Sequence, residues 1–344
     1  MESPQKLTLT PGACNALDVA KMLFAIVVVG IHQPIFSGEA YVATWLWMGR
    51  LAVPFFFITS AFLFFLRNPG PTELKKYVVR MLKLYGVWFV VMLPYTIQLR
   101  YVADYSVAGN IVHFLQLFLL DSTFRGSWFL SALLLSIPLV YYGERKLGMR
   151  WMLAIAVVVE LFLLSYAWRF AMPTSVADAL TAFTRGFPDV HCSFLAAMIY
   201  VVIGCIIARK WNVVSQLPVK RLWTAAVVLT AMMAVWIIVK EKCWHISTRT
   251  LLLVPAVTAI FLAVVRSEVN LKLPYRALRK TSTIVYISHF LFIFLLSRAQ
   301  MYWWHSSLPD FARFAIVLGV SCALSALLIQ LQKRPRMGWL KYTW

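Results

Sequence analysis

The chain has 344 residues, of which 61% are hydrophobic and 13% charged, and its mean hydropathy is +0.76. A soluble domain of that length needs a polar surface, and too little polar sequence is present to supply one. The net charge of +20 does not indicate a nucleic-acid partner, because Lys and Arg stand in short segments between apolar runs rather than in a basic tail or on a soluble face.

Repeated apolar runs of about 17 to 25 residues are the pattern of an all-α bundle of transmembrane helices. Ten segments are expected, at roughly 15–36, 51–66, 84–99, 127–143, 150–168, 192–208, 222–239, 249–265, 283–297 and 311–331. They form one membrane domain over 15–331, between an N-terminal tail (1–14) and a basic C-terminal tail (332–344). The N-terminus is too polar for a cleavable signal peptide, and no small-residue cleavage site follows the first apolar run, so that run is expected to be retained.

The first run, Asn15 to Phe36, carries Asp18, Lys21 and His32. Lys21 and His32 are three helical turns apart to within about 20°, and Asp18 lies one turn before Lys21, so the three share one stripe. Ionisable groups inside a membrane helix cost a few kcal/mol each unless they face protein or a wet cavity. The plain alternative is an interfacial Asp18–Lys21 pair with His32 at a helix end. His32 is the best candidate base, since its unperturbed pKa lies nearest neutrality. Lys21 either binds an anionic donor or neutralises Asp18.

The second run begins near Tyr41 and is interrupted by Arg50. Arg50 either holds an anion or developing oxyanion with its fork of donors, or snorkels to the interface. Pro54 is expected to kink this helix, and Ser60 to bond a carbonyl freed nearby. Ile111 to Leu120 is only half a membrane long, which suits an interfacial or re-entrant helix. Trp128, at the start of segment four, either lines a mouth or belongs to an interfacial aromatic belt. Glu160, deep in segment five, either pairs with an arginine or is protonated. His289, within segment nine, serves a site or makes an interhelical hydrogen bond. His113, His245 and His305 read as interfacial, and His191-Cys192 lacks the spacing for metal ligation by one helix face. The five cysteines (Cys14, Cys192, Cys205, Cys243, Cys322) have no CxxC spacing, so neither a disulfide framework nor a metal site is expected.

Alternate loops carry 22 against 9 Lys and Arg, the richer set including both termini. The positive-inside rule then expects both termini in the cytoplasm. Lys21 would lie towards the cytoplasm and His32 about 16 Å nearer the external face, at about 1.5 Å per residue. The loops are short, so chemistry must be done by the bundle.

Lys21, ten residues, then His32 resembles the Arg/Lys-x10-His signature of the acyltransferase type 3 family, integral-membrane O-acyltransferases of about ten helices. Leu17-Asp18 looks like that family's opening. Pro54-Phe55-Phe56-Phe57-Ile58-Thr59-Ser60-Ala61-Phe62-Leu63 is similar to its second-helix FF-x-x-SGF pattern, with Ala61 where the family has Gly. Trp128-Phe129-Leu130 and Tyr286-Ile287-Ser288-His289 resemble its later WFL and Y-x-x-H elements. Lys21 stands where many members have Arg, which removes a bidentate fork.

The resemblance implies an acyl-CoA donor, acetyl-CoA above all, on the cytoplasmic side and no permanently bound cofactor. It also implies an acceptor hydroxyl on an envelope glycan or lipid-linked sugar at the external side, membrane lipids as surroundings, and the bacterial inner membrane as location. It makes His32 the base or acyl relay and Arg50 the charge stabiliser. Lys21 with Asp18 falls to the donor side, and Ser60, Trp128 and His289 to the acceptor side or a supporting shell. A transporter or flippase for a polar lipid or sugar would also place ionisable groups inside a bundle, but it favours inverted repeats, and none stands out. A membrane anchor or receptor without chemistry would not require the Lys21–His32 stripe.

Overall fold

The computed structural model describes residues 9–244, 250–304 and 308–344, and among them every regular element is helical. His245 and His305 lie outside the described residues, and so does the side chain of Cys243. The principal helices in chain order begin with α1 (Pro11–His32), α2 (Gly38–Phe65), α3 (Pro71–Val91), α4 (Leu93–Arg100) and α5 (Val107–Leu120). They continue with α6 (Trp128–Leu147), α7 (Met149–Ala167), α8 (Thr174–Thr184), α9 (Phe194–Arg209) and α10 (Val219–Trp244). The last three are α11 (Leu253–Arg266), α12 (Tyr275–Ala299) and α13 (Asp310–Leu331).

Each expected apolar run is helical, but the edges and the count differ. Among the described residues, seven helical stretches are long and apolar enough to cross a membrane. The segment expected over 84–99 is two helices, α3 and α4, meeting at 77°. Pro94, in the first turn of α4, cannot donate back across the junction. Helix α11 has 14 residues, about 21 Å at 1.5 Å per residue, short of the ~30 Å apolar core of a bilayer. The second span is longer than expected. It runs unbroken from Gly38 through a π-turn at Val42–Leu46, so Arg50 sits inside the helix and does not open it.

Local chemistry sets these ends. Thr10 caps α1, its hydroxyl accepting from Ala13 N at 3.2 Å, with Pro11 in the first turn. The helix stops at His32 because Pro34 forces Gln33 out of helical geometry. Ser106 caps α5 by accepting from Gly109 N at 3.0 Å. Gly148, at φ +84°, makes the reversal between α6 and α7, a conformation that disfavours a side chain.

Helices α2 and α9 are buried along most of their length and pack on each other, with α1, α6, α7, α11 and α12 around them. The outer helices turn apolar side chains outward: Val158 on α7 and Val227 and Val235 on α10 are each more than 60% exposed. Water would make that arrangement costly, and lipid makes it free. The chain is an integral membrane protein.

The α2–α9 contact brings two helix backbones close together. A Cβ on Gly204 would lie 2.7 Å from the Ile58 carbonyl oxygen and 3.0 Å from Phe62 N. Trp45 likewise fills the space beside Gly30, and its Nε1 donates to the Val27 carbonyl at 3.1 Å, tying α1 to the start of α2. Gly86, also helical, has open space where its Cβ would go. Gly204→Ala should therefore destabilise the protein by about 1–3 kcal/mol through overpacking, although Ala is the better helix former. Gly86→Ala should be neutral or slightly stabilising. Thermal unfolding of the two variants in detergent checks the contrast.

Candidate active site

The polar stripe of α1 exists as expected, and its two ends have different surroundings. At the Asp18 end the carboxylate is 1% exposed. Arg279 of α12 grips it with a fork: Nη2 donates to Oδ2 at 2.8 Å, and Nε lies 3.0 and 3.1 Å from the two oxygens. Lys21 Nζ adds a contact to Oδ1 at 3.1 Å. One buried carboxylate thus meets two cations, and Arg279 is half exposed. Pairing of this kind removes the cost of leaving Asp18 charged inside the protein. Lys21 neutralises Asp18, as one of its two sequence readings holds. Arg279 was not anticipated, although an intramembrane carboxylate calls for a cation on some neighbouring helix.

Beside this end lies a cavity of about 530 Å³ lined by Asn15, Tyr275, Arg276 and Lys280, among others. Lys280 Nζ donates to Gln332 Oε1 at 3.0 Å and lies 4.2 Å from the centre of the Trp344 ring.

At the other end of α1, His32 lines a cavity of about 430 Å³ with Arg125, Trp128, Tyr286 and Phe290. The Phe290 ring is 4.4 Å from that of His32, and the His289 ring is 5.5 Å away with its plane within 23° of parallel. His289 is completely buried. Its Nδ1 lies 3.1 Å from the Val285 carbonyl, which can only accept, so Nδ1 carries the proton. Its Nε2 has no hydrogen-bond partner. The Y-x-x-H stretch thus faces the His32 end: Tyr286 lines the cavity, and its hydroxyl donates to the Gly126 carbonyl at 3.4 Å. Gly126, at φ +83°, leaves the space that the Phe290 ring occupies.

The other expected residues divide. Trp128 is in the cavity wall, its ring 5.5 Å from that of Phe57 on α2. Arg50 does not line the cavity, although its charge and that of Arg125 both act on His32. It is exposed, near Tyr41 and Lys240. Among the described residues the Ser60 side chain makes no hydrogen bond. The bond expected of it near Pro54 is made by its neighbour, Thr59 Oγ1 donating to Phe55 O at 2.7 Å. Glu160 is buried on α7, away from both cavities.

The cavity's far wall was not legible in the sequence. It comprises Arg100 at the end of α4, Asp121 and Ser122 before α6, and Asp189 and Cys192 before α9. Burial pushes the Asp121 carboxyl up to about 6, with Asp189 adding to the shift and Arg100 and Ser122 opposing it. These are ordinary helix-end and loop residues with no motif, brought together from three separate parts of the chain.

Comparison with known proteins agrees with this architecture. No solved structure matches the chain. An amino-acid racemase from Enterococcus faecalis is 26% identical over 141 residues, 40% of this chain, and the chain spans only 19% of that curated relative's length. Racemisation belongs to that protein, and so partial a match carries no activity over. The sequence profile described as an acyltransferase domain matches residues 15–330, nearly the whole chain and every element that builds the two cavities, and the chain therefore belongs to the acyltransferase type 3 family of membrane acyltransferases.

Proposed function

We propose that the protein moves an acyl group, acetyl above all, from cytoplasmic acyl-CoA to a hydroxyl of an envelope polysaccharide or lipid-linked sugar across the bacterial inner membrane. The single observation that carries this reading is the cavity in which His32 stands beside Arg125 and Trp128, at the far end of the helix from the buried Asp18 pair. The excess of Lys and Arg in one set of loops supports both termini being cytoplasmic, which puts the His32 cavity at the external side. Ten crossings, with the bent α3–α4 pair, the 20-residue α6 and short α11 added to the seven spans, fit that orientation.

In this mechanism His32 takes the proton of the acceptor hydroxyl as the hydroxyl oxygen attacks the thioester carbonyl. The C–S bond then breaks, and the CoA sulfur leaves with the proton held by His32. In the relay version the His32 ring nitrogen first attacks the thioester and CoA leaves as the thiol with the ring proton; the acceptor hydroxyl then attacks the acyl-imidazole, and the departing imidazole takes the hydroxyl proton. Arg125 faces the developing oxyanion from the cavity wall, and Arg50 adds its field from further off. His289, stacked on His32 and tethered through Nδ1, holds the base's ring in place. At the Asp18 end, Arg276, Lys280 and the exposed face of Arg279 offer charge to the donor's phosphates, and Lys21 keeps Asp18 neutralised.

Turnover of radiolabelled acetyl-CoA by protein in nanodiscs, supplied with envelope glycan, tests the reading through CoA release and label in glycan. His32→Ala, still monodisperse, should lose about 10²- to 10⁴-fold in transfer. A folded wild type that neither binds nor consumes any of a panel of acyl-CoAs sinks the transferase and leaves the transport reading. Arg125→Ala should lower kcat about 10²-fold, the typical loss for one oxyanion donor, and more than Arg50→Ala does. The reverse order would return the role to Arg50. The double variant Arg276→Ala/Lys280→Ala should raise KM for acyl-CoA about tenfold with kcat little changed, the signature of lost ground-state binding.

A further inference from the structure

The His32 cavity carries four charged side chains in one wall, Arg100 and Arg125 with Asp121 and Asp189. Arg125 bears on His32, and the guanidinium of Arg100 and the carboxylate of Asp189 bear on Asp121. Two carboxylates face two guanidinium groups, so the wall is formally neutral when both carboxylates are ionised and offers an anion no net attraction. Asp121 is 6% exposed, and its backbone carbonyl accepts from Ser131 Oγ at 3.2 Å. Asp189 accepts from His191 N at 2.9 Å. Ser122 Oγ is held in turn, accepting from Trp128 N at 3.1 Å. Arg100 Nε is buried without a hydrogen-bond partner. This wall is rich in acceptors, fixed in position and incompletely satisfied.

We propose that this wall is the acceptor subsite and that it takes an uncharged, hydroxyl-rich sugar unit. Neighbouring hydroxyls donate to Asp121 and Asp189, Arg100 donates to a sugar oxygen, and the reacting hydroxyl is presented to His32. A uronate or phosphate at this position meets two carboxylates as well as Arg100 and Arg125, so it loses water without a net electrostatic gain. A monohydric alcohol leaves the wall's polar groups dried and unpaired, the condition under which a polar site rejects an apolar analogue most strongly. The inference rests on the acceptor reading above.

The arrangement has a pH consequence. Asp121 is faced by Arg100 from α4, Asp189 and Cys192 from the segment before α9, and Ser122 from its own loop, while His32 and Arg125 share the cavity. Burial holds its carboxyl near 6, so below about that pH it is protonated and loses acceptor capacity, and above it the site is complete.

Saturation-transfer NMR on the protein in nanodiscs reads sugar binding without turnover. The probes are neutral trisaccharides of glucose, galactose, mannose and N-acetylglucosamine, their C6-carboxylate counterparts, and 1-hexanol. We expect at least one neutral trisaccharide to bind about tenfold more tightly than its carboxylate and hexanol not to compete. Asp121→Asn and, as a more exposed second site, Asp189→Asn should each weaken binding about tenfold. Wild-type binding should weaken as pH falls from about 7.5 to 5. Carboxylates binding as well as neutral sugars, no neutral sugar binding at all, or both variants binding unchanged would each overturn the proposal. Neutral-sugar binding by a protein that consumes no acyl-CoA would retain the subsite and remove the transferase. Glycan acylation that ignores acceptor charge would do the opposite.

Discussion

The contact between α1 and α12 is what the rest of the site depends on. At one end it is closed by a carboxylate buried to 1% exposure and gripped by the guanidinium of Arg279. A charge so placed is tolerated only while its partners stay in reach, so the pair sets where the two helices stand relative to each other. At the other end the same two helices bring the rings of His32, His289 and Phe290 together. A contact made for electrostatic reasons at one end therefore positions the aromatic cluster about three turns away.

Helix α2 supplies the second constraint. Its fit against Gly204 leaves no room for even one methyl group, and Trp45 ties its start to α1. Phe56 and Phe57 then pack on Phe129, and Phe57 packs on Trp128. The FF and WFL stretches meet as packing that carries Trp128 into the cavity wall. Their part in the site is to set its shape, while the ionisable groups come from helix ends and loops.

The two cavities differ in ways that suit two different ligands. The one beside Asp18 has lysine and arginine in its wall and no carboxylate, whereas the one at His32 mixes arginines with aspartates. Under the proposed function a polyanionic nucleotide would take the first and a polyhydroxylated acceptor the second. The α1 stripe reaches towards both.

Composition and periodicity alone determined that this chain lives in a membrane as a helical bundle, because burying so much apolar sequence and saturating its backbone leave few other solutions. The spacing of Asp18, Lys21 and His32 alone placed them on one face of one helix, since helical geometry makes that a local property. The tertiary structure decided the partners. Arg279 and His289 lie more than 250 residues from Asp18 and His32, and no local rule connects them. It also put Arg125 in the cavity wall and left Arg50 outside it, because Arg50 sits within a helix longer than its apolar run suggested. The wall of Asp121, Asp189 and Arg100 was invisible for the same reason: three ordinary helix-end and loop residues become a site only where the bundle brings them together.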